Sequence, residues 1–371
     1  NKKLLILIIV VILIGIIVGS ILIRNVIVNK RAEEEKYKLG ENTSSSLIAK
    51  YIRKGVKIGG ITGELEVLDT SDATAKAEDI EWGKTGYVNG EKIVGTMLTS
   101  NKVSYLKDKD AYFEEDKEVV DDLGNKITLP EGFKVSEETA DLVEDGVVIE
   151  DKEGNQFVWI PAKTGSGVTI HTSIGDKTII YQRTDFGKNA GNYGEYSETL
   201  PTDEEASVNA NGGYYIGRFE SGDKVSTEAK KLRESGDSQS NEVAIKSGQA
   251  PYNYITYDNS KKVSEGMASK NGYNAKTKLV SSYAWDTAIN FIQIKTTNYG
   301  INSPQGNNYE SEFSYIDILG KNQIKEQNTE VLVPTGQTTA VSNIYDMGGN
   351  CYERSSEIHI AELTARGGCY A

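Results

Sequence analysis

Two cysteines, Cys351 and Cys369, and two histidines, His171 and His359, are all the thiol and imidazole chemistry that 371 residues offer. A four-cysteine zinc site and a disulfide framework both need more thiols than this. The spacing of Cys351 and Cys369 is compatible with a single disulfide, and their proximity in space depends on the fold. The run Glu357-Ile358-His359-Ile360-Ala361-Glu362 could show a zinc ion one imidazole between two carboxylates. No second His or Cys stands at metal spacing, so a loop or strand histidine is the better reading. Most hydrolytic and zinc mechanisms lose their raw material here, and no catalytic residue is assigned.

The charge balance narrows the partners further. Asp plus Glu number 54 against 41 Lys plus Arg, a net charge of −13, and an acidic surface repels phosphate backbones. Nucleic acid is therefore not an expected partner. With 38% hydrophobic and 26% charged residues the chain can bury a real core. Tyr (21) outnumbers Phe (7), and the C-terminal half is rich in Gly, Asn and Ser. That blend suits recognition loops, because Tyr supplies contact area at low entropic cost.

The elements that must position these residues begin with a hydrophobic run. From Leu4 to Ile23 every residue is apolar, Gly or Ser, about the 20 residues that a helix needs to cross a bilayer. The expectation is a long N-terminal hydrophobic helix over residues 1–30, membrane-spanning or filament-core, followed by a helical stalk over 31–54. Lys2 and Lys3 on one side and Arg24, Lys30 and Arg31 on the other leave orientation open. The acidic bulk without a cytoplasmic motif suggests an extracellular, cell-surface location. The apolar half running into the charged Arg24–Lys38 segment also resembles the stalk of type IV pilin-like proteins, which self-assemble through that helix. Leu5 stands where that family carries an acidic residue.

Residues 55–100 read as a small β spacer module, in which Asn89-Gly90 turns a hairpin between Tyr87-Val88 and Ile93-Val94. Within it Ala75–Met97 resembles a short element of phage-tail and Gram-positive surface proteins that spaces larger domains. Residues 101–125 are strongly charged and read as a solvated linker. From 126 to 371 brief apolar strands alternate with Gly/Tyr/Asn-rich loops. Val147-Val148-Ile149 and Phe157-Val158-Trp159-Ile160 flank the turn Asp151–Asn155. Ser282–Gln293 reads as a helix with Trp285, Ala288, Ile289 and Ile292 on one face and Ser281 or Ser282 as its cap. The head is expected to be α+β and loop-rich.

Six segments of this head occur in the order found in the formylglycine-generating enzyme, or sulfatase-modifying factor, family: Gln156–Ala162, Gly212–Glu220, Ala250–Thr256, Val280–Gln293, Asn343–Glu353 and Arg366–Tyr370. The resemblance implies a C-type-lectin-like fold for residues 126–371, with the family's closing strand either missing or following residue 371. Oxidase members bind copper through a cysteine pair just beyond the "RGGS" segment. Cys369 takes the Ser position here, Cys351 lies inside the GGN motif, and neither matches a catalytic thiol. The copper chemistry is therefore expected only if a cysteine pair follows residue 371.

The resemblance also implies a structural calcium ion. Its ligands would be the Asp346 side chain, the Gly349 and Cys351 carbonyls and the Glu353 carboxylate, a hard-oxygen set on a Gly-rich turn. Tyr352 and Arg354 replace two tryptophans expected beside them. The expected function is a non-catalytic, surface-anchored adhesion protein whose head binds an extracellular glycan or protein. A pilin-like subunit and a formylglycine-generating oxidase are the alternatives.

Overall fold

The computed structural model describes residues 15–16, 18–31, 49–58, 60–184, 198–300, 306–359 and 362–370, with only the backbone at 358–359 and 362–365. The chain divides into two units, the first ending at Met97 and the second starting at Leu98.

The long hydrophobic helix expected over 1–30 needs correction. Residues 15, 16 and 18–31 are helical, whereas 1–14 and 17 lie outside the described residues. Among the described residues no helix is long and apolar enough to cross a membrane. The physical reason lies in the described stretch itself, where Arg24, Asn25, Asn29, Lys30 and Arg31 interrupt the apolar run. Most of the expected stalk, residues 32–48, also falls outside the described residues.

The rest of the first unit is one small device used twice. Strands β1 (Lys57–Ile58) and β2 (Ile61–Thr62) form one hairpin, β3 (Thr85–Val88) and β4 (Glu91–Val94) a second. Around the first, Leu65 N donates to Ile52 O at 2.9 Å and Gly63 N to Val56 O at 2.8 Å. Around the second, Met97 N donates to Ile80 O at 2.9 Å and Gly95 N to Lys84 O at 2.7 Å. Both copies cross their own entry strand so closely that a Cβ would land 2.2 Å from the Arg53 carbonyl at Gly63, and 2.3 Å from that of Ile80 at Gly95. Glycine is required at both. Among the described residues of this unit only Ala49, Gly63 and Gly95 are buried, so backbone hydrogen bonds rather than a core hold it.

The second unit has an α+β mix of small antiparallel sheets and short helices, not the lectin-like head behind a hydrophobic helix that the sequence suggested. It opens with helix α1 (Val103–Leu106) and the hairpin β5 (Lys117–Val120) and β6 (Lys126–Leu129). The charged 101–125 stretch is folded into the second unit: Val103, Leu106 and Val119 are buried in the main core, and of its charged side chains only Asp121 is buried. The largest sheet has the order β12-β9-β8-β7, from β7 (Phe133–Val135), β8 (Val148–Asp151), β9 (Gln156–Pro161) and β12 (Gly213–Gly217). Strand β9 is buried along almost its whole length, which is why QFVWIP reads as an apolar run rather than an alternation. Hairpin β10 (Val168–Ile170) and β11 (Lys177–Ile179) follows it, and helix α2 (Thr202–Asn211) precedes β12.

The turns before β6 and β9 are built alike. Asp121 and Asp151 each accept from the Asn four residues on, at its backbone (2.8 and 2.6 Å) and its side-chain amide (2.8 Å in both). Each Asn then reaches a neighbouring segment, Asn125 bonding the backbone of His171 and Asn155 accepting from Ile245 N. Every polar atom of these buried side chains is matched.

Beyond β12 lie β13 (Gly222–Asp223), helix α3 (Lys224–Glu228), β14 (Val243–Ala244) and β15 (Ala250–Pro251), which form a three-stranded sheet with β13 central. Helices α4 (Tyr257–Asn271) and α5 (Ser282–Ile292) follow. Ser281 caps α5 by accepting from Ala284 N at 3.0 Å, and Ala288, Ile289, Phe291 and Ile292 enter the core with Trp159 and Ile160. Two hairpins close the described chain: β16 (Phe313–Ile316) with β17 (Asn322–Lys325), and β18 (Glu353–His359) with β19 (Glu362–Arg366).

Candidate functional site

The loop from Asp346 to Glu353 is held by conformation as much as by contacts. Asp346 and Asn350 have φ of 61° and 60°, and Gly349 has 88°, so the chain coils back on itself before β18 begins at Glu353. Asn350 frames the coil from inside. Its amide nitrogen donates to Glu220 Oε2 at 2.7 Å and Val333 O at 3.1 Å, and its oxygen accepts from Val333 N and Asn307 Nδ2.

Three carboxylates gather around this loop. Glu220, just after β12, accepts from Cys351 N at 2.8 Å through Oε1. Asp346 accepts from Gly336 N at 2.5 Å through Oδ2, leaving Oδ1 buried with no hydrogen-bond partner. Both carboxylate oxygens of Glu353 are buried and unmatched as well. A Cβ on Gly367 would overlap Glu353 Oε2, so the glycine of the Arg366–Tyr370 segment walls the pocket by being small.

Burial, followed by the mutual repulsion of these carboxylates, pushes Glu353 and Glu220 well above the ordinary carboxylate range. Burial also raises Asp346. The Cys351 thiol is pushed up by burial and then by Glu220, Glu353 and Asp346. Like charges brought together out of water without a cation are costly, and three orphaned oxygens are what a hard cation would satisfy. Among the described residues no three His, Cys, Asp or Glu side chains converge as a metal cluster. The orphaned oxygens belong to two carboxylates, Asp346 and Glu353, and these are the side chains that would hold such a cation, with the Gly349 and Cys351 carbonyls as the further ligands that the family resemblance implies. A calcium ion held there would supply structural cross-linking of loops, not chemistry.

The same hairpin also carries charge of the opposite design, through Glu357 and through Arg366, which stands opposite Glu353 in the register. Arg183 Nε meets Asp286 at 2.8 Å and its Nη1 meets Glu357 at 2.8 Å; Arg366 meets Asp286 and Glu357 at 2.6 Å each. Two guanidinium groups and two carboxylates close a nearly dry square joining α5 to β18 and β19. Burial raises Asp286 despite both arginines, whereas at Glu357 the arginines outweigh burial and hold the carboxyl low. Glu357 is thus committed to an ion-pair network, which removes it from the zinc reading of Glu357–Glu362; the His359 side chain and residues 360–361 lie outside the described residues.

Sequence reasoning put Asp346, Gly349, Cys351 and Glu353 forward as one ligand set; in the structure the Asp346 and Glu353 carboxylates are buried within electrostatic reach of each other and of Glu220. It missed Glu220 and Asn350, although each sits inside a quoted motif. The signal for Glu220 was an acidic residue closing an apolar strand, Tyr214–Glu220. A second surface was also missed: a shallow groove of about 670 Å³ along β16 and β17, lined by Ser314, Tyr315, Ile316, Gln323, Ile324 and Gln337 among others. No family model matches this chain, and neither the curated proteins nor the solved structures contain a protein that matches it.

Proposed function

We propose that the second unit is a non-catalytic ligand-binding head whose loops are fastened by a structural calcium ion. The observation that carries the binding role is the β16–β17 groove. Ile324 and Ile316 offer apolar contact beside Asn322 on one face of the hairpin, Tyr315 stands beside Gln323 on the other, and none of the groove's lining residues is an acid, base or thiol. Ile324 is 65% exposed, an apolar surface that a ligand would cover. Amides beside an aromatic ring suit an extracellular glycan or an extended peptide. The ordered motifs that resemble the sulfatase-modifying factor family support the same reading of the head, together with the lack of a match to that family's catalytic thiols.

The test is direct binding of the purified chain to arrayed glycans and peptides in calcium. Saturable binding that Ile324→Glu and Gln323→Ala each weaken tenfold or more is the expected result. Binding untouched by both substitutions would remove the groove from the account. The calcium arm is read separately: at a hundred times its dissociation constant the ion should add about 2.7 kcal/mol of stability, lost in chelator.

A further inference from the structure

Cys351 lies just before β18 and Cys369 just after β19, at the base of the hairpin, and both are thiols in this structure. Tyr370 N donates to Asn350 O at 2.9 Å. That single bond joins the peptide unit leading into Cys351 to the peptide unit leading out of Cys369. Each cysteine Cα lies one peptide unit from a bonded atom, which caps the Cα separation at about 8 Å. A disulfide needs about 4.4–6.8 Å. Two further approaches fix the segments side by side. A Cβ on Gly368 would lie 2.8 Å from Gly349 N, and one on Gly367 would lie 3.1 Å from Met347 O. The Cys351 thiol also feels the charge of Cys369.

The geometry points to a redox-formed disulfide between Cys351 and Cys369, closing the β18–β19 hairpin at its base. The oxidant is a low-molecular-weight disulfide. One cysteine sulfur attacks it, forming a mixed disulfide and releasing one small thiol; the second cysteine sulfur attacks the mixed disulfide and releases the other. The two protein thiols lose two hydrogens, the small disulfide gains them, and the electrons balance. The bond would tie the coil from Asp346 to Glu353 to the segment 367–370, next to the glycine packed against Glu353. It does not depend on a cation being bound there.

The experiment is oxidation of the folded full chain with oxidised glutathione, followed by alkylation and non-reducing peptide mass spectrometry. A peptide linking Cys351 to Cys369, with an intact mass lower by about 2 Da, is the expected result. The thermal midpoint should rise by roughly 5 °C on oxidation and return on reduction, as closing a short loop predicts. Cys369→Ser and Cys351→Ser are the paired controls: each should take up one glutathione in place of the cross-link, and neither should show the midpoint rise. Two separately glutathionylated cysteines in the wild-type chain would overturn the inference, as would two alkylated thiols or a cross-linked dimer.

Discussion

Two clusters along the β18–β19 hairpin bury acidic groups in opposite ways. In one, Asp286 and Glu357 share two arginines, each carboxylate oxygen meeting a guanidinium nitrogen. In the other, Glu220, Asp346 and Glu353 form no ion pair among the described residues, and three of their oxygens are orphaned. In the first arrangement every carboxylate oxygen has a cationic partner. The second leaves buried oxygens that a cation would satisfy, and that difference is what the proposed calcium site rests on.

Breaking the brace gives the largest effect. Asp286→Asn leaves two buried arginines facing one carboxylate, and removing one partner of such a network costs about 3–5 kcal/mol. Urea unfolding should show this loss with or without calcium. A loss below 1 kcal/mol would mean the square is solvated and the contrast with the pocket false.

Asn350 tests the frame of the pocket rather than its charge. It is fully buried, carries hydrogen bonds to Glu220, Val333 and Asn307, and sits at positive φ. Asn350→Ala abandons those partners and strains the backbone, for an expected loss of about 2–3 kcal/mol. Asn350→Gly, which relieves the strain alone, should recover a fraction of it. Equal losses in both variants would assign the whole effect to hydrogen bonding. Neither variant should alter the wild-type response of Asp286→Asn, since the two sites share no partner.

How much of this was readable in the chain depends on whether local chemistry or distant contact decides each feature. The Asn89-Gly90 hairpin and the Ser281-capped helix were legible because turn φ and capping are properties of a few neighbouring residues. Helix α4 was not, since only Ser260, Val263 and Met267 of its 15 residues are buried and its polar sequence shows no apolar stripe. The duplicated device of the first unit was hidden by unequal hairpin lengths, and only Gly63 and Gly95 with their carbonyl contacts reveal it. The charged 101–125 stretch misled because its few apolar residues, Val103, Leu106 and Val119, are the ones that matter. In the pocket, one loop could be read as a ligand set, but Glu220 comes from more than a hundred residues away. The square was invisible for the same reason: Arg183, Asp286, Glu357 and Arg366 have no spacing rule in common.

The smallest expected effect is the most specific. Burial and the neighbouring carboxylates raise Glu353 above its ordinary value of 4.5 in the folded chain, so the folded state binds its proton more tightly than the unfolded state does. In chelator, that stabilisation is full below the ordinary value and is lost as pH rises through the raised one. Stability should therefore fall as pH rises above that ordinary value, on top of whatever other groups contribute. Glu353→Gln keeps the shape, removes the titration and flattens that part of the slope, while Asp286→Asn leaves it in place. Calcium should oppose the same slope in the wild type, because the ion stabilises the ionised carboxylate, and should do nothing for Glu353→Gln. If the wild type and Glu353→Gln lose stability in parallel, with calcium acting alike on both, Glu353 is a satisfied structural acid and the two clusters along the hairpin are braces of one kind.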